Sequence, residues 1–217
     1  MKSGDFLWLA CLGGIAALML VPETHNLFIS STKAHPYAMG FIKIAILATM
    51  GELLALRIVS GEWMRPVGLQ WRFFVWGLFG ISFALVFDVF GAGVTAAMTK
   101  GLLPGNGSLI TAFWISAIMN LAFAPTFMAL HRITDTYIDL SSGQLANLSR
   151  IQLRQVTAAI DWNGFVSFVV VKTVPLFWIP AHTVTFLLPP EYRVLMAAFL
   201  SIALGAILAF AKRKQVQ

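Results

Sequence analysis

Long apolar runs separated by short polar connections dominate the chain. A helix that spans a bilayer needs about 20 largely apolar residues, because backbone groups without hydrogen bonds are costly in hydrocarbon. Six runs qualify, although the first is short, and they predict spans at residues 6–21, 37–59, 73–98, 109–130, 163–188 and 192–211. The pattern predicts an all-α fold: a polytopic transmembrane helical bundle that forms a single domain over residues 1–217.

The connections between the runs differ in length. The last one, Pro189-Pro190, is so short that spans five and six are expected to form an antiparallel hairpin. The one long polar segment, residues 131–161, has apolar residues on one helical face, namely Leu145, Leu148, Val156 and Ile160. An amphipathic helix at the membrane interface and a solvated loop helix both remain open for this segment.

Composition agrees with a membrane protein. Apolar residues make up 59% of the chain and charged residues only 11%, whereas a soluble domain carries about 25% charge. The net charge of +6 does not indicate nucleic acid, because the 15 Lys and Arg residues are scattered at the edges of the apolar runs rather than clustered on one face. The expected partner is the lipid bilayer, and no nucleic-acid partner is expected.

The distribution of Lys and Arg predicts the orientation. One side of the predicted membrane receives Lys2, Arg57, Arg65, Arg72, Arg132, Arg150, Arg154, Lys212, Arg213 and Lys214, and the other only Lys33, Lys100 and Arg193. Cytoplasmic loops are enriched in these residues, so both termini are expected in the cytoplasm. A retained first span is favoured over a cleaved signal, because no clean small-x-small cleavage site follows it. The lack of an Arg- and Ser-rich transit peptide favours a bacterial inner membrane.

Polar residues inside the spans are the candidate functional groups, because ionisable side chains are costly in a bilayer and usually face the bundle interior or a cavity. The candidates for the pore or polar interior are Asp88, Lys172, Glu52, Asn120 and His182. Asp88 shares a helical face with small residues that allow close helix packing, and is expected to point into the bundle. Lys172 is its expected partner. The pair either lies on a solute path or only holds two helices together.

Other residues in the spans have more than one interpretation. Lys43 is expected to extend to the interface. Pro175 and Pro180 free backbone carbonyl groups in span five, which either produce a simple kink or border a polar path. Trp76 is assigned to the interfacial belt, and Trp178 either to packing or to lipid contact.

Several chemistries find no support in the pattern. The four histidines lack metal-ligand spacing, so neither a metal site nor a cofactor is expected. No phosphate-binding glycine loop and no catalytic signature occurs, so neither ATP-driven transport nor enzymatic activity is expected.

Four motifs follow one another over residues 33–214. They are His35-Pro36 before a span with Gly51-Glu52; Arg72 before a helix with Gly77, Gly80, Gly91 and Gly93; Ala124-Pro125-Thr126-Phe127; and Trp178, Pro180, Phe186, Pro189, Tyr192 and Arg193. In this order they resemble the Mpv-seventeen and peroxisomal-membrane-protein-twenty-two family of small integral membrane proteins. Glu52 stands where that family has aspartate, Met119-Asn120 where it has Asp-Gln, and Thr185 where it has asparagine. The chain resembles a divergent bacterial relative, with residues 6–21 as an added first span.

The resemblance implies only a general function, since some members are regarded as poorly selective channels for small solutes. The expected function is a channel or facilitator for small polar solutes that is not driven by ATP. The alternative is a non-conducting membrane scaffold or stress-response protein that acts through partner proteins. A homo-oligomer is compatible with either function.

Overall fold

The computed structural model describes residues 2–216, and the side chain of Lys214, counted above, lies outside the described part. The described chain is helical and contains no β-strand. The helices are α1 Ser3–Leu20, α2 Pro22–Ala34, α3 Pro36–Ser60, α4 Leu69–Thr99, α5 Ser108–Ala122, α6 Ala124–Leu140, α7 Leu145–Leu148, α8 Leu153–Ala159, α9 Trp162–Leu187 and α10 Pro190–Val216.

Most of these helices are suited to a bilayer. Within residues 2–216, five are long and apolar enough to cross a membrane: α1, α3, α4, α9 and α10. The pair α5–α6, bent by 44°, would make a sixth span. Large apolar side chains such as Leu78 and Val89 are exposed on the outer faces of the spans, where lipid would cover them. The chain is therefore an integral membrane protein, and the predicted all-α helical bundle is confirmed.

Helix α3 lies at the centre of the bundle, packed against α4 and α10. Its buried face carries Ile44, Leu47 and Ala48. Gly40 of α3 and Gly80 of α4 bring their backbones into direct contact, and a Cβ atom at either position would collide with the carbonyl group of the other. Small residues permit this close approach of two helices in a membrane.

Helix α1 lies on the outside of the bundle, and none of its described residues is buried. Polar contacts fix it at one end, where Asp5 accepts hydrogen bonds from Arg57 Nε at 2.9 Å and from Trp63 Nε1 at 2.8 Å. Further along, Trp8 Nε1 donates to the carbonyl of Met50 at 3.0 Å. The predicted added span is thus joined to α3 and to the residues that follow it.

The fourth span and the polar segment differ from the prediction. The span breaks at Phe123, because Pro125 in the first turn of α6 has no N–H to continue the hydrogen bonds of α5. Helix α6 then continues to Leu140, so the first third of the 131–161 segment completes a helix. The predicted single amphipathic face is wrong, because α7 and α8 are separate short helices. Val156 in α8 is fully buried.

The proline-containing span α9 widens rather than simply bending. From Phe165 to Trp178 the backbone is π-helical, and Ile179 N–H bonds to the carbonyl of Val174, five residues earlier. Ordinary α-helix resumes at Ile179, with Pro180 in its first turn. The connection to α10 is short, as the predicted hairpin requires, since α9 ends at Leu187 and α10 begins at Pro190.

Candidate functional site

A central cavity of about 270 Å³ lies inside the bundle. Its walls are mainly apolar and include six aromatic rings, from Trp76, Phe83, Phe87, Phe123, Phe127 and Trp178. The polar side chains at its walls are Glu52, Asn120, His131, His182 and Ser201. An apolar cavity with a few convergent polar groups is the usual form of a small-molecule site.

Glu52 enters the cavity wall from the inward face of α3. Trp76 Nε1 donates a hydrogen bond to Glu52 Oε1 at 2.9 Å. The other carboxylate oxygen, Oε2, is buried and has no hydrogen-bond partner within residues 2–216. No ion pair involves Glu52 in the same part of the chain.

A buried polar network lies further along the cavity wall. The side-chain amide of Asn120, 1% exposed, lies at 3.0 Å (Nδ2) and 3.1 Å (Oδ1) from Nδ1 of His182. Asn120 Nδ2 also donates to the carbonyl of Ser116 at 2.8 Å. The Trp178 ring stacks on His182 with ring centroids 5.0 Å apart. The network fixes the His182 ring between α5 and α9.

Polar atoms without partners are concentrated at this cavity. Five buried side-chain nitrogen or oxygen atoms in the described chain have no hydrogen-bond partner. Four of them belong to residues that line the central cavity: Glu52 Oε2, His131 Nδ1, Trp178 Nε1 and His182 Nε2. An unpaired buried polar atom costs about 1–3 kcal/mol, so the cavity surroundings favour a polar guest.

A second cavity, the vestibule, continues from the first toward the end of the bundle that carries Arg72. It measures about 690 Å³ and has Arg72, Arg132 and Lys212 in its walls. The two cavities share the lining residues Glu52, Ala55, Met128, His131, Gly205 and Leu208. The central cavity and the vestibule are therefore adjacent along one path, with Glu52 and His131 at their junction.

Acidic residues surround Arg72 near this junction. Arg72 bonds to Asp135 at 3.1 Å and to Asp139 at 2.7 Å. Ligand atoms of Glu52, His131 and Asp135 lie within 4.8 Å of one another, which is close enough to hold a metal ion. Asp135 is already bound to Arg72, so a metal ion would have to compete with a guanidinium group for it.

A third cavity, of about 340 Å³, lies at the opposite end of the bundle, where Lys43, Asp88, Glu191 and Arg193 border it. Among the described lining residues, Phe87 alone borders both this cavity and the central one. The Phe87 ring is buried against Phe186, with centroids 5.2 Å apart. Phe87 therefore separates the central cavity from the Arg193 end.

The sequence prediction is wrong for the orientation of two candidates. Asp88 is exposed and borders the cavity at the Arg193 end instead of pointing into the bundle. The buried stripe of α4 runs through Gly80, Phe87 and Val94, because large side chains as well as small ones select the packed face.

Lys172 is exposed too, and the predicted Asp88–Lys172 pair does not form within residues 2–216. The π-helical turns of α9 bury Thr173 and Val174 in its place.

Lys43 is buried between helices and borders the cavity at the Arg193 end. Its side chain is 6% exposed, and its ammonium group donates to Thr32 Oγ1 at 3.0 Å and to the carbonyl of Glu191 at 3.2 Å. The ammonium group also lies 4.5 Å from the centroid of the Phe28 ring. These contacts link α2, α3 and α10.

Most residues of the four motifs pack against neighbouring helices or lie at helix ends. Gly51 lies against Ile202 of α10, and Gly77 against the ring of Phe41. A Cβ atom at Gly91 would meet no other atom within 4 Å, so this glycine has no close-packing role.

The remaining motif residues lie at helix ends. His35 and Pro189 connect helices, and Pro36 and Pro125 lie in first turns. Tyr192 bonds to His25, and Arg193 donates to the carbonyl of Leu188 at 3.0 Å.

Sequence reasoning missed three cavity residues. His131 was grouped with the polar segment, although it lies on α6 with Asp135 one turn later at i,i+4. Trp76 is predicted at the interface and Trp178 in packing or lipid contact, and both line the cavity. The available signal was the i,i+4 spacing of His131 and Asp135 within a helix that has a proline in its first turn.

Comparisons with family models, with curated proteins and with solved structures give no match to this chain.

Proposed function

We propose that the protein is a channel or facilitator that lets small polar solutes cross the membrane without nucleotide hydrolysis. The four unpaired polar atoms around the central cavity are the observation that supports this function most directly. A small polar molecule there would supply their missing hydrogen bonds. The vestibule gives such a molecule a route toward the Arg72 end.

The proposal also covers the orientation of the chain, its cellular location and its family. The bias of Lys and Arg supports cytoplasmic termini, which would put the vestibule on the cytoplasmic side. The proposed location is a bacterial inner membrane. The four motifs over residues 33–214 support a divergent member of the Mpv-seventeen and peroxisomal-membrane-protein-twenty-two family. The protein would act by passage of the solute, and not as an enzyme.

A pair of glycine substitutions tests the proposed path. Gly205 borders both the central cavity and the vestibule, and a Cβ atom there would meet no other atom within 4 Å. The Cβ atom of Gly205→Trp therefore meets no neighbouring atom, and the indole ring should occupy the junction. Gly91→Trp is the matched control, because its surroundings are equally open and it borders none of the three described cavities.

The measurement is the osmotic swelling rate of proteoliposomes in gradients of glycerol and erythritol. We expect wild-type protein and Gly91→Trp to speed solute entry, and Gly205→Trp to lose most of this effect. Equal entry through Gly205→Trp and wild type would contradict the path. A folded wild-type protein that passes no solute, while one dominant partner is cross-linked to it in native membranes, would favour the scaffold function.

A further inference from the structure

We propose that the central cavity binds an organic cation, such as a protonated amine or a quaternary ammonium ion, with Glu52 as its counter-charge. This inference rests on the proposed function, because it names the class of solute that the same cavity would take.

The charged residues around the central cavity favour the binding of a cation. Among its described lining residues, Glu52 is the only carboxylate, and no Lys or Arg is present. Arg72, at the adjoining vestibule, is already bound to Asp135 and Asp139. A carboxylate away from water is costly unless it is paired. A cationic guest would supply the partner that residues 2–216 do not provide for Glu52 Oε2.

The walls of the cavity select the kind of cation. Inorganic divalent ions such as Mg²⁺ and Ca²⁺ require several oxygen ligands, whereas quaternary ammonium groups bind within cages of aromatic rings. Six aromatic rings line the cavity, and two of them belong to tryptophan, the side chain that attracts cations most strongly. Trp76 bonds to Glu52 at 2.9 Å, so an aromatic ring and the carboxylate lie next to each other.

The competing ligand is a divalent metal ion held by Glu52, His131 and Asp135. That site would use only three side chains, and one of them is bound to Arg72 at 3.1 Å. Asp135 is also absent from the described walls of the central cavity. The organic cation leaves the Arg72 contacts intact and uses the aromatic walls, so the structure favours it.

Binding of two probes of equal shape tests the inference. The first is choline, a quaternary ammonium ion, and the second is its uncharged carbon isostere, 3,3-dimethylbutan-1-ol. Each is titrated into the purified full-length protein by calorimetry. Glu52→Gln keeps the side-chain volume and an oxygen that can accept from Trp76. Glu23→Gln is the matched control, because Glu23 is exposed on α2 and borders no described cavity.

We expect Glu52→Gln to weaken choline binding about ten-fold or more, and Glu23→Gln to leave it unchanged. The uncharged isostere should bind weakly and equally to all three proteins. Equal binding of choline to wild type and Glu52→Gln, or equal binding of the two probes, would overturn the inference.

A zinc titration and the swelling assay separate the remaining outcomes. Zinc binding that excludes choline and is lost in Asp135→Asn would identify a metal site and overturn the inference. Choline binding without any solute entry would support the inference and contradict the proposed function. Solute entry without choline binding would support the proposed function and overturn the inference.

Discussion

At the residue scale, the Asn120 amide links stability to the site. It bonds to Ser116 and His182 and is almost fully buried. Asn120→Leu keeps a similar volume but leaves His182 Nδ1 without its partner. Interhelical hydrogen bonds in membranes contribute about 0.6 kcal/mol on average, and an orphaned polar atom adds about 1–3 kcal/mol. We expect a loss of about 1–2 kcal/mol, measured by unfolding of the protein from mixed micelles.

Asn163→Leu is the matched control for this prediction. Asn163 is exposed at the start of α9, and its side chain makes no hydrogen bond to the described residues. Its replacement should change the unfolding free energy little. Equal stability of the two variants would contradict a structural role for the Asn120 network.

The sequence predicted which polar residues lie deep in the spans better than it predicted where they point. Glu52, Asn120 and His182 do face the interior. Asp88 and Lys172 lie equally deep in their apolar runs but are exposed, and Asp88 borders the cavity at the Arg193 end. Depth can be read from the length of a run, whereas rotation about the helix axis depends on which neighbours pack and on the local helix type. A period of 3.6 residues per turn does not describe the π-helical part of α9, so it gave the wrong face for Lys172.

At the element scale, the contact between α3 and α4 depends on two glycines. A methyl group at Gly80 would collide with the backbone of Gly40, so Gly80→Ala must push the helices apart. Forcing extra atoms into a packed contact costs about 1–3 kcal/mol. We expect a lower melting temperature for Gly80→Ala in detergent.

Gly91→Ala is the internal reference for this contact. The same helix carries it, and an added methyl group would meet no other atom within 4 Å. Its melting temperature should stay at the wild-type value or rise, because alanine favours helix more than glycine does. A Gly80→Ala protein as stable as Gly91→Ala would show that the two helices do not pack as described.

All six predicted spans correspond to helical segments, because hydrophobic length is a strong local signal. The interruptions were harder to predict. To predict the bend at Phe123, one must know that α6 continues as a helix beyond Pro125. No repeating pattern in the sequence marks the separation of α7 from α8. Tertiary contacts contribute to the separation of α7 from α8, as the burial of Val156 illustrates.

At the scale of the whole molecule, the bundle has unequal ends. From the Arg72 end, the vestibule leads to the central cavity past Glu52 and His131. From the Arg193 end, Phe87 and Phe186 lie between the third cavity and the central one. The proposed function requires that water-soluble molecules reach the central cavity from the Arg72 side.

Cysteine accessibility distinguishes a central cavity that water reaches from a sealed one. The natural Cys11 is replaced by serine, and a single cysteine is introduced either at Ser201 of the cavity wall or at Ser82 of α4. Ser82 borders none of the described cavities and neighbours the exposed Ile81. A membrane-impermeant methanethiosulfonate cation is then applied to sealed vesicles from each side, because the reactive thiolate forms in water.

We expect rapid labelling of Ser201→Cys from the Arg72 side, little labelling from the Arg193 side, and none of Ser82→Cys from either side. Ser201→Cys that resists the reagent from the Arg72 side, yet reacts fully once the protein is denatured, would contradict a water-accessible cavity at the centre of the bundle.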